Sequence, residues 1–141
     1  MNQLDFSAIF WGLVVALGLG FAMGIFLAVA TGVHIAADEQ AHTPEMTDEE
    51  FARYYLENIP ETRFFLALVL ALLAVNGLAG YVTASLAQGG VWRNVFVAGG
   101  ASLAITLAAE MRNPVLPRWA EWLWGACALP AALAGAWIAV G

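Results

Sequence analysis

The stretch FSAIFWGLVVALGLGFAMGIFLAVATGV, residues 6–33, decides the fold. It carries no charged side chain and is long enough to cross a hydrocarbon core of roughly 30 Å with some tilt. A small residue recurs at every fourth position: Gly12, Ala16, Gly20, Gly24, Ala28 and Gly32. In lipid such a row lets a second helix approach the backbone closely, and Gly20 with Gly24 forms a GxxxG pair at its centre. A four-residue step on an α-helix overshoots one turn by about 40°, so the row drifts around the helix. One straight partner therefore cannot meet all of it. The expectation narrows to a crossing at Gly20 and Gly24, with the outer small residues facing the Gly-rich halves of the second and third spans.

Composition extends this reading to the whole chain. Of 141 residues, 62% are hydrophobic and 11% charged, far below the roughly one-quarter charged of soluble domains. The N-terminus MNQLDFSAIFWG lacks the positive region of a secretory signal, and the apolar run is too long for a signal core, which predicts a retained transmembrane helix. The net charge of −6 is a local property, because eight acids, from Asp38 to Glu61, lie in one connecting segment. Every basic residue is Arg. With no basic cluster, neither nucleic-acid binding nor a polybasic lipid patch is expected. The lone Cys127 cannot form an intrachain disulfide and reads as a small apolar packing residue.

Three further apolar segments follow, giving spans at about residues 6–33, 63–86, 92–111 and 119–140. The fold class is all-α, a polytopic membrane protein forming one membrane domain. Residues 34–62 form the acidic extramembrane segment, with a short amphipathic helix over about 48–58. Its start is marked by Thr47 and Glu50 in a TxxE capping box followed by acids in the first turn. Phe51, Tyr54 and Tyr55 give it an aromatic side. The second span begins with FFLALVLALLAV and then turns small and polar, with Asn76, Gly80 and Ala84 at four-residue spacing. Gln88-Gly89-Gly90 predicts a tight turn. The third span carries the small patch Gly99-Gly100-Ala101-Ser102, extended by Ala104 and Ala108. The fourth opens on Trp119, Trp122 and Trp124, read as an interfacial belt, and contains the small row Ala128, Ala132 and Ala136. Arg53, Arg63, Arg112 and Arg118 against Arg93 alone place the acidic loop in the cytoplasm and both termini outside.

Chemistry is sparse. His34, Asp38, Glu39 and His42 are the one cluster with metal-ligand types, and Glu39 with His42 makes an ExxH pair. Its other reading is a solvated helix exit. Asn76 is a buried polar residue suited to interhelical hydrogen bonding, and Asn76, Thr83 and Ser85 are the residues that would line a solute pathway. Mid-span ionisable residues are missing, which argues against a proton relay. The chain contains no Lys-bearing phosphate loop, GxSxG, HExxH or paired-Cys motif, and no cofactor is implied.

The run NGLAGYVTASLAQGGVWRNVFVAGGASLAI, residues 76–105, resembles a pattern in small bacterial four-span membrane proteins of uncharacterised function. There a "GGYVAA"-type span ends in a short turn before a second Gly-rich span. Here Ala79 replaces the first Gly of the pair, and the usual basic turn is reduced to Arg93. The resemblance implies a four-helix fold in a bacterial inner membrane and a turn on the inside, opposite to the Arg distribution. It brings no activity with it.

The resulting expectation is a non-catalytic subunit or accessory protein in the lipid bilayer, forming a homo-oligomer or joining a larger membrane complex. Its packing residues would be Gly12, Ala16, Gly20, Gly24, Ala28, Gly32, Gly80, Gly99 and Gly100. The alternatives are an oligomeric transporter or channel for a small solute and, more weakly supported, a metal-dependent membrane enzyme.

Overall fold

In lipid each backbone N–H and C=O must bond within its own segment, so apolar runs of this length become helices. The computed structural model describes residues 4–37, 47, 49–50, 53–54, 57, 63–112 and 118–141. The first span consists of α1 (Phe6–Leu13), a π-helical segment (Val14–Leu19) and α2 (Gly20–Ala36). The other spans are α3 (Arg63–Leu86), α4 (Val91–Glu110) and α5 (Arg118–Val140). All four are long and apolar enough to cross a membrane, with mean hydropathies from 1.3 to 2.2 over their most apolar windows. The chain is a multi-pass helical membrane protein. Phe6, Phe21, Phe26, Trp122, Trp137 and Ile138 stand well exposed on the outer surface, where lipid replaces water as the solvent.

The core forms where α3 and α5 run side by side. Ala128, Ala132 and Ala136 are all buried along one face of α5. A Cβ added at Gly80 would overlap the Ala132 carbonyl, and one at Gly135 would overlap the Gly77 carbonyl. Backbone thus meets backbone on both sides of this contact, the close approach that small residues permit in membranes. Ala84 and Val95 pack into the same cluster with Ala132 and Ala136. Pro130 lies within α5 on an exposed face.

The end of the bundle nearest the N-terminus is fastened by polar groups. Asp5 caps α1, with its Oδ1 accepting from the Ala8 N–H at 3.1 Å. Its Oδ2 accepts from the Gln88 N–H at 3.1 Å, in the turn between α3 and α4. The Asp5 N–H donates to Asn94 Oδ1 at 3.0 Å, and Asn94 Nδ2 donates to the Gly89 carbonyl at 2.9 Å. Asn94 is fully buried. Gly90 precedes α4 with φ 58°, a left-handed conformation that glycine adopts without strain. The two backbone amides hold the Asp5 carboxyl below the ordinary aspartate value, the Ala8 bond contributing most.

The capping box sits in the acidic segment. The Thr47 N–H and hydroxyl both donate to Glu50 Oε2, at 2.8 and 2.9 Å, and the Glu50 N–H donates back to Thr47 Oγ1 at 3.3 Å. Glu49, Glu50, Arg53, Tyr54 and Glu57 are helical. Phe51 and Tyr55 lie outside the described residues.

Candidate functional site

The first span leaves the bundle as it proceeds. At its start a Cβ on Gly12 would overlap the Thr83 hydroxyl. Ala16 is buried, and Gly20 stands with Val75 Cγ1 3.8 Å from where its Cβ would be. By Gly24 nothing lies within 4 Å. A π-helical segment, Val14–Leu19, lies between these two ends. Its wider turn takes more residues per revolution, which opposes the drift of a four-residue row. Gly12, Ala16 and Gly20 consequently all face α3, and the span's closest approach falls at Gly12. The crossing expected at Gly20 and Gly24 is not made within the chain. Polar ties hold the span at its other end, where Asp5 joins α1 to Gln88 and Asn94.

The divergence opens a cleft of about 650 Å³ between the first span, α3, α4 and the beginning of α5. This volume falls in the range of small-molecule sites. Leu17, Phe21, Ile25, Leu68, Leu72 and Val75 supply apolar walls. Gly18, Gly20 and Gly24 leave one side without side-chain bulk. Ser102, Thr106 and Glu110 run along α4 at four-residue spacing and give the cleft a polar seam. Asn76 faces them from α3, and Trp124 completes the wall from α5.

Most hydrogen-bonding capacity here is used locally. Asn76 Nδ2 donates to the Leu72 carbonyl at 2.8 Å, and Thr106 Oγ1 to the Ser102 carbonyl at 3.0 Å. Both are bonds back to the preceding turn of the same helix. Trp124 differs. It is 5% exposed, and its indole Nε1 is the one buried side-chain polar atom without a hydrogen-bond partner among the described residues. Its place corrects the aromatic-belt expectation. Trp119 and Trp122 are exposed, whereas Trp124 turns inward. Residues two apart on a helix lie about 200° apart, so Trp122 and Trp124 cannot share a face. That spacing was the available signal for Trp124, and the period-four row Ser102, Thr106 and Glu110 was the signal for the polar seam.

The pathway residues do not come together as one lining. Thr83 is fully buried and donates to the Ala79 carbonyl at 2.8 Å, while Ser85 faces outward. Asn76, Thr83 and Ser102 instead surround an enclosed space of about 10 Å³ in the core, room for about one water. The metal cluster falls elsewhere: the His34 side chain, Asp38, Glu39 and His42 lie outside the described residues, as does the Ala28 side chain. Among the described residues no three His, Cys, Asp or Glu side chains gather closely enough to hold a metal. Gly32 is partly exposed near the end of α2. Gly99 faces inward, with Leu129 Cδ1 3.0 Å from a Cβ position, and Gly100 faces outward with nothing within 4 Å.

Comparison with protein-family models, curated proteins and solved structures finds no match.

Proposed function

We propose that this chain is a non-catalytic integral membrane protein of a bacterial cell membrane, a small subunit or accessory factor that packs against a helix of a second copy or of a larger complex. The observation that carries the reading is the outward face of α4. Gly100, Ala104 and Ala108 lie on it at four-residue spacing, all exposed, and no atom comes within 4 Å of a Cβ position at Gly100. Phe96, Val97 and Ile105 flank the row and stand 40–54% exposed. Larger side chains beside a small-residue row make a shallow groove of the kind that receives another membrane helix. The small residues of the core are already occupied: Gly12, Gly77, Gly80 and Gly135 are packed inside the chain.

The test is particle mass in a mild detergent, with identification of copurifying proteins. Wild-type protein is expected as an oligomer or in a complex, and Gly100→Leu with Ala104→Leu should release monomer while leaving helicity intact. A wild-type monomer that brings no partner from its native membrane would overturn the reading.

A further inference from the structure

We propose that the exposed face of α5 around Ala126 and Pro130 docks a transmembrane helix of a partner protein, one that presents a side-chain amide or hydroxyl as hydrogen-bond donor to the Ala126 backbone carbonyl. The sequence itself creates this acceptor. In an α-helix the carbonyl of residue 126 accepts from the N–H of residue 130. Residue 130 is proline, which has no N–H, yet α5 continues from Arg118 to Val140. The Ala126 carbonyl therefore lacks its helical donor. Its depth makes the loss costly. Pro130 lies nine positions after Glu121 and ten before Val140, the two ends of the apolar part of the span. Hydrocarbon rather than water surrounds the middle of such a span, and an unmet backbone group there costs more than it would at a wet surface.

α5 does not supply the donor from its own side chains, since RWAEWLWGACALPAALAGAWIAV contains no Ser, Thr, Asn or Gln. The bundle does not cover the position either. Ala126 and Pro130 are both exposed, on the side of α5 away from the buried row Ala128, Ala132 and Ala136. Proline is tolerated within a span when a neighbouring helix meets the freed carbonyl, and here the open side faces out of the chain. An acyl chain has no donor to offer, whereas Asn, Gln, Ser and Thr side chains do. The shape of the face also suits a helix. Trp122 and Trp137 stand on it, 76% and 68% exposed, and with Ala126 and Pro130 they fall within an arc of about 80°. Between the two indoles, Ala126 carries only a methyl group and Pro130 only its ring, so a second helix can come close to the backbone.

This surface lies on a different helix from the small row of α4, so the two proposals stand or fall apart. In the experiment, full-length protein carrying a fluorescence donor is reconstituted into phosphatidylcholine vesicles. Synthetic transmembrane helices of Leu and Ala carry the acceptor and differ at one central position, Asn or Leu. At low peptide-to-lipid ratio, energy transfer should show wild type binding the Asn helix about fivefold more tightly than the Leu helix, the size of one hydrogen bond between helices in a membrane. Pro130→Ala returns an N–H to the Ala126 carbonyl and should abolish that preference. Ala126→Leu covers the carbonyl and should abolish it too, which decides the matter if Pro130→Ala fails to fold. Gly100→Leu, on α4, should keep it. Equal binding of the two helices to wild type would overturn the proposal, as would a preference that survives Pro130→Ala or is lost in Gly100→Leu. So would self-association of the protein that Pro130→Ala abolishes, because the donor would then belong to a second copy.

Discussion

Gly80 and Gly100 are both helix glycines in a membrane, yet the chain uses them in opposite ways. A methyl group on Gly80 would push into the Ala132 carbonyl, and backbone cannot swing aside as a flexible side chain can. Gly80→Ala should therefore destabilise the folded protein by about 1–3 kcal/mol, through overpacking of the α3–α5 contact. At Gly100 the methyl group meets open space, so Gly100→Ala should be neutral or stabilise by up to about 1 kcal/mol. Unfolding curves in mixed micelles with increasing SDS measure both changes. Equal responses would mean that α3 and α5 do not touch as described. The sequence marks both positions as candidate helix-packing glycines. It could not sort inward from outward ones, because that depends on how each helix is rotated about its axis. Gly99 and Gly100 are adjacent and only one faces the interior, whereas Trp122 and Trp124 could have been separated by angular spacing alone.

Among the elements, the first span departs most from a regular helix. The π-helical segment Val14–Leu19 has the sequence VVALGL, which holds no proline and no feature setting it apart from the surrounding apolar residues. The change of helical pitch there has no local signature, so it was not legible in the sequence. The Asp5 cap is the reverse case, since an Asp just before an apolar helix is a local start signal. Its reach to Gln88 and Asn94 spans more than 80 residues and was not. This tie has a pH dependence of defined sign. The Asp5 carboxyl is held below its ordinary 3.8 by the Ala8 and Gln88 amides. A depressed folded value means that the stabilisation is complete above 3.8 and disappears as pH falls through the lower, folded value. The stability difference between wild type and Asp5→Ala should accordingly be full at pH 7 and shrink below pH 3.8. A difference that stays constant down to pH 2 would remove the carboxylate from the account.

At the scale of the whole molecule, the first span is closely packed on α3 at Gly12 and stands apart from it at Gly24, where a cleft opens. The four-span architecture could be read from apolar length and missing charge, because in lipid those two quantities leave a helix as the only economical structure. The cleft could not, since it is the space between helices whose crossing depends on contacts far apart in sequence. Its materials were nonetheless visible: Gly20, Gly24, Asn76, Ser102 and Thr106 all stand in the chain as small or polar residues. The asymmetry carries a dynamic consequence. Local opening is easiest where few buried contacts hold an element. Phe21, Ile25 and Phe26 in α2 are half or more exposed, whereas Asn76, Ala79, Thr83 and Ala84 in α3 are buried. In detergent, amide hydrogens of residues 21–26 should exchange at least tenfold faster than those of residues 76–84, because α2 can lift from α3 while the α3–α5 contact stays closed. Uniform exchange across both segments would show that the first span is held as firmly at Gly24 as at Gly12, and the cleft would then have no mechanical meaning.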